Sequence, residues 1–188
     1  MANIATNVTT GKPAKSGAIF FAPLGTTLPT DADTALDNAF KALGYVSEDG
    51  LTNDNSPESD QVKAWGGDTV LVTQTSKEDT FKFVLLETLK KEVAQFIYGA
   101  SNVTGDISTG LTIKANNGEV DEVSIVIDMI MRGDVAKRIV IPDCKVSAVG
   151  DIVYKDDEAI GYDTTVDCIP DASGNTHYEY MIDQSPST

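Results

Sequence analysis

The residues of this chain that could perform nucleophilic chemistry are few. Its one histidine is His177, and its two cysteines are Cys144 and Cys168. A cysteine nucleophile needs a base beside it, and no known nucleophile motif surrounds either cysteine. A zinc site needs several Cys or His ligands at short spacing, and this sequence has no CxxC pair. We interpret both cysteines as small buried thiols and His177 as a packing or solvated residue.

Carboxylates are abundant, because 29 of the 188 residues are Asp or Glu. A glycosidase needs two of them in one cleft with separated pKa values, and nothing in the sequence distinguishes such a pair. The polar stretch Asn53, Asp54 and Asn55, followed by Glu58 and Asp60, has the composition of a calcium loop. The EF-hand spacing is absent, however, so we interpret the stretch as a solvated loop.

Glycine patterns that hold phosphates are also absent. The sequence contains neither GxGxxG nor a P-loop, and Gly66-Gly67 lies between β segments, where it serves a turn. We therefore predict no enzymatic activity, no cofactor and no metal site.

The net charge of −15 argues against two classes of partner. Proteins that bind nucleic acids tightly neutralise phosphates with Lys and Arg, and binding to anionic membranes depends on the same residues. The first 17 residues lack the apolar core of a signal peptide. The longest apolar run, residues 123–131, is too short and too polar to cross a membrane. We expect a protein that is made in the cytoplasm and stays soluble there.

The elements that must position these residues are mostly strands. Phe81, Phe83 and Leu85 alternate with polar neighbours, which predicts a strand with one buried face. Residues 68–75 are equally rich in β-forming types. Further strands are predicted at residues 17–22, 44–47, 111–114, 122–130, 136–149 with a break at Pro142, 159–169 and 177–182.

Two helices are predicted from apolar residues at spacings of three and four. The first is a short helix within residues 31–43, which Asp31 or Asp33 would cap and Gly44 would end. The second spans residues 87–98 and ends at Gly99; its apolar face comprises Leu89, Val93, Phe96 and Ile97. The combination predicts a mainly β fold, a β-sandwich or barrel with one amphipathic α-helix packed on it.

Three segments are expected to lie outside the body of the domain, which spans residues 17–183. Residues 1–16 form a polar N-terminal arm and residues 184–188 form a loose C-terminal tail. Residues 47–60 are too polar to be buried, so we expect a loop or hairpin that projects from the body.

Four segments in order carry a resemblance to a known family. They are GYVSEDGLT (44–52), VKAWGGDTV (62–70), TFKFVLLET (80–88) and EVAQFIYG (92–99). This series resembles the major tail-tube proteins of siphophages and related prophages. The resemblance is specific over residues 44–99, and weaker over residues 111–183, where only the order of strands matches.

The resemblance implies a structural subunit of a virion tail. Subunits of this family fold as a β-sandwich flanked by a helix, similar to the tube protein of type VI secretion systems. They form hexameric rings that stack, and loops and arms bridge neighbouring copies. Other implied partners are the tape-measure and tail-terminator proteins, while double-stranded DNA passes through the channel without specific binding.

Two sets of residues become candidates on this basis. The projecting segment would contribute a subunit or ring interface through Ser47, Glu48, Asp49, Asn53, Asp54, Pro57, Glu58 and Asp60. Acids that share a strand face, Glu122 and Asp128 on one strand and Asp163 and Asp167 on another, would line the lumen or face the outer solvent.

Two alternatives remain open from sequence. One is another virion protein, namely a decoration, capsid or tail-terminator protein. The other is a surface β-sandwich module that binds carbohydrate or calcium.

Overall fold

The structure is a computed structural model that describes residues 3–14 and 17–184. Its described part contains thirteen strands, one α-helix and two short 3-10 helices. The strands are β1 (Gly11–Pro13), β2 (Ile19–Pro23), β3 (Lys41–Ala42), β4 (Val46–Asp54), β5 (Pro57–Lys63), β6 (Thr69–Lys77), β7 (Thr80–Leu85), β8 (Val103–Thr104), β9 (Thr112–Ile113), β10 (Val123–Met131), β11 (Val135–Val149), β12 (Tyr162–Cys168) and β13 (Tyr178–Asp183). The α-helix is α1 (Lys91–Tyr98).

Nine of these strands form one antiparallel sheet. Its order is β3-β2-β10-β11-β12-β7-β4, with β1 paired to β10 and β13 paired to β11. Two separate hairpins, β5-β6 and β8-β9, stand apart from this sheet. The prediction of a mainly β fold with one helix is therefore confirmed.

The alternation predicted for residues 80–86 is present in β7. Phe81, Phe83 and Leu85 are buried, while Lys82 between them is exposed. This is the period-two pattern of a strand with one face on the core.

Phe96 of α1 shows how the sheet curves around its core. Its ring centroid lies 5.3 Å from that of Phe21 on β2 and 6.4 Å from that of Phe83 on β7. These two strands are far apart in the sheet order, so the sheet must bend to bring both onto the same helix. The main core between them also includes Ile19, Leu43, Ile125, Ile141 and Val166. The result is a sandwich-like β domain with a flanking helix.

The helix α1 is shorter than predicted. Val93, Phe96 and Ile97 are buried as expected, and the N–H of Gly99 donates to Gln95 at 2.9 Å to end the helix. Residues 87–90 form a turn instead, and Leu89 is 73% exposed. The Glu87 side chain accepts a hydrogen bond from the N–H of Tyr45 at 3.0 Å, which fixes this turn against the start of β4.

The helix predicted within residues 31–43 is wrong. This segment consists of turns and bends that end in β3. Arg138 Nη1 donates to the carbonyl oxygens of Thr34 at 2.7 Å and Asp31 at 3.2 Å. These carbonyls thus accept hydrogen bonds from a distant side chain. The segment covers a second, smaller core made of Ala22, Phe40, Val126 and Val140.

The break predicted at Pro142 is also wrong, because β11 continues through it for 15 residues. The β10-β11 register shifts between Val123 and Ile125, which places Pro142 at an irregularity of the ladder. On the other edge, pairing with β13 stops at Val140 and pairing with β12 starts at Cys144. The missing N–H of proline therefore removes no ladder bond, as at other β-bulges.

Candidate assembly surfaces

The β5-β6 hairpin is exposed along almost its whole length. Every residue of β5 is exposed, and so is every residue of β6 except Ser76. Five of its residues are exposed and apolar or aromatic: Val62, Trp65, Val70, Leu71 and Val72. A two-stranded ribbon cannot bury either of its faces by itself. The hairpin therefore presents apolar surface that only another molecule can cover.

The apolar residues lie on both faces of this hairpin. Val62 faces Leu71 across the two strands, while Val72 faces Gln61 one position away. Directly opposed residues share a face and consecutive residues alternate. Contacts on both sides of the ribbon are thus available to neighbours.

The tip of the hairpin displays Trp65. The N–H of Ala64 donates to the carbonyl of Asp68 at 2.8 Å, and the N–H of Gly67 donates to that of Ala64 at 3.0 Å. Gly66 and Gly67 have φ values of 121° and 102°, a region that favours glycine. Trp65 is 106% exposed. A fully solvated indole ring leaves a large apolar area in contact with water, which is unfavourable in an isolated protein. Tryptophan is a common anchor at interfaces.

The predicted interface residues do not form one surface. Pro57, Glu58 and Asp60 lie on the hairpin, but Asn53 and Asp54 pair with β7 in the main sheet. Ser47, Glu48 and Asp49 belong to a bulge between the paired positions Val46 and Leu51 of β4. The projecting element is therefore residues 57–77 and not 47–60.

Sequence reasoning missed the β6 half of the hairpin and Trp65 at its tip. Residues 68–75 have the composition of a buried strand, and composition does not tell which strand lacks a covering layer. The one available signal was Val70-Leu71-Val72, which puts apolar residues on both faces of a strand.

A cluster around Asp79 fastens the base of the hairpin. Asp79 follows β6 and is buried; Asn53 Nδ2 donates to its Oδ1 at 2.7 Å, and its Oδ2 accepts from the Thr176 hydroxyl. His177 Nδ1 lies 2.6 Å from the same Oδ2, and its ring packs edge-on against Phe81. The cluster ties the hairpin base to the segment before β13, so His177 has a structural partner.

A groove of about 750 Å³ lies between the N-terminal segment and the start of β4. It is lined by Lys12 and Pro13 of β1, by Tyr45 and Glu48, and by Met129 of β10. Part of the predicted arm thus joins the sheet, since Gly11–Pro13 pairs with Met129–Met131 of β10. Residues 1–2 and 15–16 of the predicted arm and residues 185–188 of the predicted tail lie outside the described residues.

The acids predicted for a lumen have different environments. Asp163 and Asp167 are exposed and alternate with buried Tyr162, Thr164 and Val166, so the predicted strand face exists. Glu122 is exposed just before β10. Asp128 does not belong with them: it is half-buried and ion-paired with Arg138. Its neighbours on the same face, Ser124 and Val126, are buried in or beside the second core, so this face of β10 is covered.

Both cysteines are free, and Cys144 is completely buried while Cys168 is half-buried. Burial raises the pKa of the Cys144 thiol well above its usual range. Burial, with the charge of Asp79 adding to it, raises the pKa of Cys168 to about 12. A catalytic cysteine needs the opposite shift.

Within residues 3–14 and 17–184, no three Cys, His, Asp or Glu side chains are grouped as metal ligands. No helix in that part of the chain has the length and apolarity needed to span a membrane.

A family model described as phage tail tube protein matches residues 4–187. The chain belongs to the phage tail tube protein family. No curated protein sequence matches it significantly.

Membership of the tail tube family confirms the resemblance found in residues 44–99 and extends it over nearly the whole chain. It makes the chain a structural component of the virion tail. The exposed hairpin and Trp65 at its tip are therefore surface features of a structural protein of the virion tail.

Proposed function

We propose that this tail tube protein is the repeating subunit of the tube, and that it assembles with identical copies into stacked hexameric rings. The observation that carries the proposal is the β5-β6 hairpin, which exposes apolar side chains on both faces and Trp65 at its tip. Partners of the tube would be the tape-measure and tail-terminator proteins. The subunit would be made and assembled in the cytoplasm of the host.

The hairpin fits a contact between copies for an energetic reason. Interface hot spots are enriched in tryptophan, and truncating one costs roughly 2–4 kcal/mol. Since each copy in a ring would use the same hairpin, a loss at one contact is repeated around the ring and along the tube. Modest damage per contact should therefore abolish assembly.

The channel of such a tube would carry DNA during ejection. Six copies with a charge of −15 give a ring with a formal charge of −90. DNA carries a charge about every 1.7 Å of its axis, and repulsion acts over a screening length of about 8 Å at physiological salt. An acidic lumen would let the duplex slide. Asp163 and Asp167 share an exposed strand face that could supply such a lining.

Substitution of Trp65 tests the assembly proposal. Trp65→Ala should leave a folded monomer with the circular dichroism and melting temperature of the wild type, and negative-stain images should lose their tubes. Tyr154→Ala removes another exposed aromatic, 74% exposed and outside the hairpin, and should still form tubes. Normal tubes from Trp65→Ala would contradict the role of the hairpin.

The same images separate the alternatives. A wild-type protein that forms only lone rings would favour a tail terminator, and one that stays monomeric at high concentration would favour a decoration protein or a surface binding module. Either result would overturn the proposal of a tube subunit.

A further inference from the structure

Cys144 and Cys168 face each other across two neighbouring strands. They are register partners in the antiparallel pair β11-β12. The N–H of Cys168 donates to the backbone carbonyl of Asp79 at 2.9 Å, on the side away from β11. The N–H of Ile169 donates to the backbone carbonyl of Asp143, on the β11 side, also at 2.9 Å. Since N–H and C=O of one residue point to the same side of a strand, the two cysteines occupy a non-hydrogen-bonded position of the ladder.

This type of position suits a disulfide. Facing residues at non-hydrogen-bonded positions have Cα atoms about 4.5 Å apart and side chains on one face. Disulfides occur at Cα separations of roughly 4.4–6.8 Å. Both side chains belong to the main core, where Cys168 packs against the cluster that contains Cys144. No large movement of the backbone is needed to join them.

We propose that Cys144 and Cys168 form a cross-strand disulfide when the folded protein meets a small-molecule disulfide. The pair is then a redox-dependent covalent link between β11 and β12. This inference does not rest on the proposed tube assembly, because it concerns one chain.

The reaction consists of two thiol–disulfide exchanges. Cys168, the more accessible thiol, loses its proton and attacks a sulfur of the small disulfide, which breaks that S–S bond and releases one small thiol. Cys144 then loses its proton and attacks the Cys168 sulfur, so that the protein disulfide forms and a second small thiol leaves. Two electrons and two protons pass from the two cysteines to the reagent.

The environment of the pair makes the reaction slow and dependent on pH. Burial, followed by the charge of Asp79, raises the pKa of Cys168 to about 12, and burial raises that of Cys144 well above its usual range. Only the thiolate reacts. The rate should therefore rise about tenfold per pH unit near neutrality. In a reducing cytosol the pair stays as two thiols, and a link would form only after transfer to an oxidising medium.

Oxidation of the purified full-length protein tests the proposal. The reduced protein is incubated with oxidised glutathione at about pH 8, then denatured for thiol counting and intact-mass measurement. We expect loss of both thiols, a mass lower by two hydrogen atoms and no covalent dimer. The link closes a loop of roughly 25 residues, so the melting temperature should rise by roughly 5–10 °C and return on reduction. Two intact thiols, or intermolecular dimers alone, would overturn it.

Single variants and an engineered pair serve as controls. Cys144→Ala should stop at a glutathione adduct on Cys168, whereas Cys168→Ala should not react. Val146 and Val166 face each other two residues along the same ladder. Val146→Cys with Val166→Cys, in a chain with both native cysteines changed to Ala, should cross-link under the same conditions. If this pair links while the native pair keeps its thiols, the native position is unsuitable and the proposal fails.

Discussion

Arg138 on β11 and Asp128 on β10 face each other and form a bidentate ion pair, with Nε to Oδ1 at 2.7 Å and Nη2 to Oδ2 at 3.0 Å. The side chain of Arg138 is 6% exposed. It also donates to the carbonyls of Asp31 and Thr34, so one guanidinium holds residues 31–43 over the second core.

Removing the guanidinium should strongly destabilise the fold. Arg138→Met leaves the half-buried Asp128 carboxylate without its partner, and breaking a buried pair in this way costs about 3–5 kcal/mol. Urea unfolding of the variant should show this loss in the free energy of unfolding. Lys137→Met, which breaks the more exposed pair with Glu179, should cost about 1 kcal/mol or less. Equal losses in both variants would contradict the special role of Arg138.

The Asp79 cluster should make stability depend on pH in acid. Burial tends to raise the pKa of Asp79, but hydrogen bonds from Thr176, Asn53 and His177 outweigh it, and the pKa is lowered from its ordinary 3.8. Because the pKa is lower in the folded than in the unfolded state, the ionised carboxylate stabilises the fold above about pH 4, and this contribution is lost as the pH falls through the folded pKa.

Thr176→Val tests this dependence. It should raise the pKa of Asp79 towards its ordinary value, which NMR titration of the carboxyl carbon would detect. The loss of stability on acidification, followed by urea unfolding, should then be smaller than in the wild type, because the pKa values of Asp79 in the folded and unfolded states differ less. Thr26→Val, which removes a hydroxyl hydrogen bond elsewhere, should leave the titration of Asp79 unchanged. An unaltered Asp79 titration in Thr176→Val would rule out the proposed cause.

Gly105 and Gly25 offer a matched pair of backbone substitutions. Both have positive φ, 80° and 89°, which costs an alanine roughly 1–2 kcal/mol. A Cβ at position 105 would also overlap the carbonyl oxygen of Gly110, whereas a Cβ at position 25 meets nothing within 4 Å. Gly105→Ala should therefore lose about 1–3 kcal/mol more than Gly25→Ala in chemical denaturation. A similar loss of unfolding free energy in both variants would show that the loop between Gly105 and Gly110 shifts easily to accept the added Cβ.

Acids on β12 should influence DNA ejection if they line the channel. Asp163→Lys with Asp167→Lys would replace repulsion of the phosphates by attraction, so ejection from assembled particles should slow, and more so at low salt. Asp156→Lys with Asp157→Lys makes the same charge change on an exposed turn and serves as the control. Equal ejection kinetics in both double variants would contradict the assignment of Asp163 and Asp167 to the lumen.

Sequence alone predicted the elements whose patterns are local. The alternation of Phe81, Phe83 and Leu85 and the apolar face of Val93, Phe96 and Ile97 follow from periodicity, and both are present. What failed depended on distant partners. The carbonyls of residues 31 and 34 accept hydrogen bonds from Arg138, and no local pattern in that segment predicts these bonds. Asp128 likewise looked free until the β10-β11 register placed Arg138 opposite it.

The candidate surface was predicted only in outline. The polar composition of residues 47–60 indicated that something projects, and the projecting hairpin does begin within that range, at Pro57. Its second strand has the composition of a core strand, and only the three-dimensional arrangement shows that nothing covers it. Composition shows that a strand has apolar side chains to bury, but it does not show whether another layer of the fold covers them.

The length of β11 has a mechanical consequence. Fifteen residues span about 50 Å, and along that length the strand is bonded to β10, β12 and β13. Tension applied along it would load these ladders in shear, many hydrogen bonds at a time, instead of opening them one after another. Single-molecule pulling along this axis should therefore meet a higher unfolding force than pulling across it.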